Sequence, residues 1–107
     1  MTKLIRDKVA LDIMRIDPNK VGIIEGLDNI KNALNNKIIE EALELSRELD
    51  EQDVDIDNIT EEAADIIEVI YAICDFYDID TSDLFQTVLS KAKIKGRFLS
   101  YSCLLSD

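Results

Sequence analysis

Three glycines and one proline are all that a chain of 107 residues offers for sharp turns. A β-sandwich or barrel needs a Gly- or Pro-bearing turn about every ten residues, so this scarcity sets sheets aside and leaves helices. Apolar residues make up 47% of a 12.1 kDa chain, enough for one core and too little chain for two. The expectation is a single all-α domain over residues 1–107, a helical bundle.

The pattern along the chain agrees. After the charged opening Lys3-Leu4-Ile5-Arg6-Asp7-Lys8, a helical spacing runs through Val9, Ile13 and Ile16 until Asp17-Pro18 stops it. Val21 to Ile24 reads as a brief extended piece. With Asp28 as N-cap, a helix runs to about Leu49, its apolar residues Ile30, Leu34, Ile38, Ala42, Leu45 and Leu49 stepping by three or four. An acidic connection follows from Asp50 to Asp57. Asn58-Ile59-Thr60-Glu61 offers a cap for a helix to about Tyr77. A turn at Asp78-Ile79-Asp80 leads to a last helix, capped by Thr81 or Ser82 and ended near Lys95 by Gly96. Arg97 to Leu105 looks extended and partly apolar.

Charge is segregated. Residues 40–68 hold 13 of the 23 acids and one base, Arg47, while the remaining bases lie outside that window. A net charge of −11 repels a phosphate backbone, so nucleic acid is not an expected partner. With no histidine in the chain, Ser-His-Asp and Cys-His nucleophile systems and Glu-x-x-His metal sites are excluded. Cys74 and Cys103 are in no metal or redox spacing, and Cys74 sits in an apolar run, as a core residue would. No leader and no apolar stretch near 18 residues is visible. A cytoplasmic protein without a membrane partner is expected.

Two carboxylate pairs lie on the wrong side of their helices. With Glu62 at zero on a wheel of about 100° per residue, Ile66, Val69 and Ile73 fall within roughly 40° of it and Asp65 at the edge of that arc. With Glu41 at zero, Leu34, Leu45 and Ile38 fall within about 60°, and Lys37, Glu44 and Glu48 adjoin. Residues three apart are neighbours on a helix, so Glu41 with Glu44 and Glu62 with Asp65 each converge. Four carboxylates aimed inward need a cation, because burying one unpaired costs several kcal/mol, on the order of a small domain's whole stability. Oxygen donors alone suit Mg²⁺ or Mn²⁺ rather than Zn²⁺ or Cu²⁺. The competing reading is an ordinary solvated acidic face, which suits Glu40, Glu61 and Glu68.

These residues resemble a known pattern. Glu40-Glu41-x-x-Glu44 followed by Glu62-x-x-Asp65, eighteen residues beyond Glu44, is similar to the E-E-x-x-E…E-x-x-D signature of the MazG-like all-α nucleoside triphosphate pyrophosphohydrolases. The opening Lys3 to Lys8 resembles the K-L-V-R-D-K start of the phosphoribosyl-ATP pyrophosphohydrolase-like subgroup. Two positions depart from that subgroup: Val9-Ala10 stands where a Pro is usual, and Lys95-Gly96-Arg97-Phe98 stands for R-G-G-F.

The resemblance implies metal ligands at Glu41, Glu44, Glu62 and Asp65, and Mg²⁺-dependent cleavage of a nucleoside triphosphate to the monophosphate and pyrophosphate. It also implies a fold completed by dimerisation, or a tetramer. On this reading Glu40 or Glu61 orients the attacking water. Lys37 meets phosphate or pairs with Glu41, and Arg6, Lys8, Lys91, Lys93, Lys95 and Arg97 supply further cations for the triphosphate. A second apolar stripe at Ile39 and Leu43, nearly opposite Leu34, suggests a homodimer. Two other functions compete: a non-catalytic acidic helical interaction module, and a relic that binds nucleotide without turnover.

Overall fold

A computed structural model describes residues 2–105. Among them are four α-helices, one 3₁₀ turn and no strand, so the all-α expectation holds. In order they are α1 (Asp7–Ile16), the turn Pro18–Lys20, α2 (Leu27–Asp50), α3 (Ile56–Phe76) and α4 (Thr81–Lys95). The chain forms two compact units, 1–73 and 74–107, with the boundary inside α3.

The first unit carries the acidic helices. Asp7 in the first turn of α1 and Arg15 in its last complement the helix dipole. Asp17 ends that helix, and its carboxylate accepts from Asn19 N–H at 3.0 Å to open the 3₁₀ turn. No strand forms at 21–24, although Val21 is extended. The N-cap of α2 is Gly26, not Asp28. Gly26 adopts φ +88°, a conformation that costs glycine little, and Asp28 falls in the first turn, where its charge faces the dipole. For α3 the cap is Asp55, whose Oδ1 accepts from the backbone of Asp57 at 2.9 Å and Asn58 at 3.3 Å. The helix therefore starts two residues before Asn58, and Thr60 sits inside it, donating to Ile56 O at 2.9 Å. Ala33 and Leu34 of α2 and Val69 of α3 are the buried apolar residues of this unit.

In the second unit, Cys74 is buried, as expected of a core residue. The Phe76 and Tyr77 rings meet edge to face with centroids 4.9 Å apart. Asp78 takes φ +54°, and Ile79 N–H returns to Cys74 O at 2.8 Å to close α3. Asp80, rather than Thr81 or Ser82, caps α4, its Oδ1 accepting from both the backbone and the hydroxyl of Ser82 at 2.9 Å. Gly96 ends α4 with φ +80°, its N–H donating to Ala92 O at 2.8 Å. Beyond it, 98–100 turn and 101–105 are irregular rather than a strand.

Candidate metal centre

Glu40 and Glu41 lie side by side on α2, one turn before Glu44, and Glu62 and Asp65 lie one turn apart on α3. The two sets meet at Glu41. One oxygen from each of Glu40, Glu41 and Glu44 lies within 4.8 Å of the others, and so does one from each of Glu41, Glu62 and Asp65. Glu41 belongs to both groups and is only 6% exposed. Its Oε1 sits 3.2 Å from Lys37 Nζ, while its Oε2 is buried without a hydrogen-bond partner. Glu62 Oε2 is buried and unpartnered in the same way.

Electrostatics follow from this geometry. Burial pushes the Glu41 carboxyl above its ordinary range, Lys37 pulls it back, and the charges of Glu44 and Asp65 push it up further. Glu62 is raised by desolvation first, then by its hydrogen bond to Glu44 and by the charges of Glu44, Asp65 and Glu41. Glu40 goes the other way. Lys3, with Nζ 2.8 Å from Glu40 Oε1, holds it ionised, and Lys37 at 3.6 Å assists.

The cations are the part that a reading of residues 40–68 alone misses. That window holds a single base, yet the fold brings three cations to its carboxylates. Lys37 sits one turn before Glu41 and engages both Glu40 and Glu41. Lys3 and Arg6 arrive from the opposite end of the unit, Arg6 placing Nη2 2.6 Å from Asp65 Oδ1. Lys3 is the one residue here that sequence reasoning did not single out for a role. The signal was available in the basic opening segment, where Lys3, Arg6 and Lys8 share a single acid, Asp7.

A groove of about 670 Å³ opens beside the carboxylates within the first unit. Lys3, Arg6, Lys8 and Lys37 line it together with Glu41 and Asp65, and Val9, Val69 and Ala72 supply apolar surface. Such a volume accommodates a small-molecule ligand. Of the remaining residues expected at the site, Glu61 is exposed and belongs to neither carboxylate group. Lys91 and Lys93 on α4 and Arg97 after it are exposed residues of the second unit. Ile39 and Leu43, the outer stripe of α2, are each 51% exposed.

The donor set fits a hard divalent cation. Every donor atom in the two groups is a carboxylate oxygen, and the two orphaned oxygens are buried where a cation would relieve them. The family model of the MazG nucleotide pyrophosphohydrolase domain matches residues 30–97, which contain all of these carboxylates. No curated protein and no solved structure matches the chain.

Proposed function

The chain belongs to the MazG nucleotide pyrophosphohydrolase family, hydrolases acting on phosphoric anhydride bonds, and we propose that it cleaves a nucleoside triphosphate to the monophosphate and pyrophosphate with Mg²⁺ or Mn²⁺. One observation supports this above the others: Glu41 Oε2 is buried and unpartnered amid carboxylates from two helices. Glu41, Glu44, Glu62 and Asp65 would hold the ion. Bound there, it would neutralise triphosphate charge and acidify a water for attack at phosphorus.

The chain's own residues do the rest. Glu40, kept ionised by Lys3 and Lys37, accepts a hydrogen bond from the attacking water and so orients it. An exposed Glu61 is the weaker candidate for that task. Lys37, Arg6 and Lys8 line the same groove as the carboxylates, so they meet phosphate oxygens while the apolar wall at Val69 and Ala72 packs on the nucleoside. Lys91, Lys93 and Arg97 would contribute cations in an assembled oligomer.

The family match runs across both compact units, which supports one catalytic domain. Exposed Ile39 and Leu43 on α2 support a homodimer, which sedimentation equilibrium at micromolar concentration tests directly. Two free thiols, Cys74 and Cys103, suit a reducing cytoplasm. Among the described residues no helix is long and apolar enough to cross a membrane.

Pyrophosphate release measured over a nucleotide panel, including phosphoribosyl-ATP, dUTP, dCTP and oxidised purine nucleotides, tests the reading. Turnover that requires a divalent ion and is lost in Glu41→Gln and Glu62→Gln supports it. A protein that binds neither ion nor nucleotide refutes it and leaves the interaction module.

A further inference from the structure

The N-terminal segment is pinned to the acidic centre at two points. Arg6 is the N-cap residue of α1, and its donor-only side chain has no acceptor with which to cap the helix. It reaches 59 residues along the chain instead, with Nη2 2.6 Å from Asp65 Oδ1. Three residues earlier, Lys3 places Nζ 2.8 Å from Glu40 Oε1. Between them Leu4 and Ile5 are half-buried, so residues 3–6 lie as a strap with one end on α2 and the other on α3.

Both anchors are members of the carboxylate groups, and both cations line the groove beside them. This creates a conflict of charge. An Asp65 oxygen engaged by a guanidinium has a lone pair fewer for a divalent ion, and a guanidinium engaged by Asp65 is withheld from phosphate. Guanidinium recognises carboxylate and phosphate oxygens with the same planar fork and never loses its charge, so Arg6 can exchange one for the other.

We infer that Arg6 couples the two ligands of the site: a divalent cation taking Asp65 displaces Arg6, which turns to a phosphate oxygen of the nucleoside triphosphate. The inference rests on the proposed function and adds to it a linkage between cation and triphosphate. Linkage is reciprocal, so each ligand tightens the other by the same factor. Lys3 on Glu40 acts as a positioning residue, holding the strap so that Arg6 stays within reach of the groove after leaving Asp65.

Titration calorimetry with MnCl₂ alone, and again with a non-hydrolysable nucleoside triphosphate analogue present, tests this on the wild type, Arg6→Met and Lys3→Met. Far-UV circular dichroism checks the fold, and Lys3→Met serves if Arg6→Met does not fold. Arg6→Met should bind Mn²⁺ alone about two- to fivefold more tightly, the size of an exposed ion pair removed as competitor. The same variant should raise the KM for triphosphate about tenfold or more, the size of a lost charged hydrogen bond. Its gain in Mn²⁺ affinity on adding the analogue should shrink. Lys3→Met should move Mn²⁺ affinity and KM in the same two directions. Opposite signs on the two ligands are the signature, because a merely structural role weakens both. A wild type that binds Mn²⁺ and turns over, with an Arg6→Met variant whose Mn²⁺ affinity or KM is unchanged or whose Mn²⁺ affinity falls, overturns the coupling alone. A wild type without Mn²⁺ heat or pyrophosphate release overturns the function and the coupling together.

Discussion

Glu41→Gln keeps the shape of the most buried carboxylate and removes its charge, and the outcome should invert with the presence of a divalent ion. In EDTA, wild-type Glu41 holds one oxygen on Lys37 at 3.2 Å and the other buried with no partner. An unsatisfied buried acceptor costs about 1–3 kcal/mol, and the nearby charges of Glu44 and Asp65 act in the same direction. Against this, the variant loses its ion pair with Lys37, but Lys37 keeps Glu40 at 3.6 Å. The balance favours the glutamine by about 1 kcal/mol. At about 2.1 cal/mol/K per residue, a 107-residue chain unfolds with an entropy of about 0.22 kcal/mol/K, so Tm rises by about 4–5 °C. With Mn²⁺ at about a hundred times its Kd, the wild type gains about 2.7 kcal/mol, or about 12 °C. A variant whose affinity falls a hundredfold or so gains only about 2 °C. The order of the two melting temperatures should therefore reverse between EDTA and MnCl₂, read by calorimetry at one protein concentration. A variant that melts below the wild type in EDTA and keeps the full Mn²⁺ shift would refute the reasoning, making Glu41 a structural partner of Lys37 and no ligand.

The raised carboxyls of Glu41 and Glu62 make the folded chain hold protons that the unfolded chain releases. Their stabilising contribution is complete below the ordinary value of 4.5 and is lost as pH rises through the raised values. Glu40, lowered by Lys3, contributes above 4.5 and loses it only as pH falls through its depressed value. In EDTA, the urea midpoint should therefore fall as pH rises from the ordinary carboxylate range toward neutrality. That slope should flatten in a Glu41→Gln/Glu62→Gln double variant, and an unchanged slope counts against the assignment. Gly96→Ala should cost about 1–3 kcal/mol in urea through its backbone alone, φ +80° with ψ −169°, since a Cβ there meets nothing within 4 Å. Gly22→Ala, in open space at an ordinary φ, should be neutral or slightly stabilising. Asp80→Ala should lower the midpoint by removing the α4 cap while Thr81→Ala leaves it nearly unchanged; equal losses would return the cap to Thr81.

Helices were legible here because their evidence is local: the stepping of Leu34, Ile38 and Leu45 is contained in α2 itself. The caps were not, because acidic and amide residues crowd every helix start, and backbone geometry chooses among them. Asp55 and Asp80 win over Asn58 and Ser82 because their carboxylates reach the N–H two residues on. Gly26 wins over Asp28 through a positive φ that no hydrophobic pattern records. Glu41 and Glu62 are legible because an apolar arc interrupted by a carboxylate is visible in one helix at a time. Nothing local separates Glu40 from Glu61, each of which precedes an inward-facing carboxylate by one residue. What separates them comes from elsewhere in the chain: Lys3 and Lys37 converge on Glu40, and Glu61 stays in solvent. The same long-range pairing accounts for part of the acid-in-the-middle, base-at-the-ends pattern. Mutually repelling carboxylates cannot be gathered at one point unless positive charge is brought to them from where they are not. One counter-charge of the window 40–68, Lys37, stands one turn outside it on the same helix, while Lys3 and Arg6 come from far along the chain, the Arg6–Asp65 pair spanning 59 residues within the first unit.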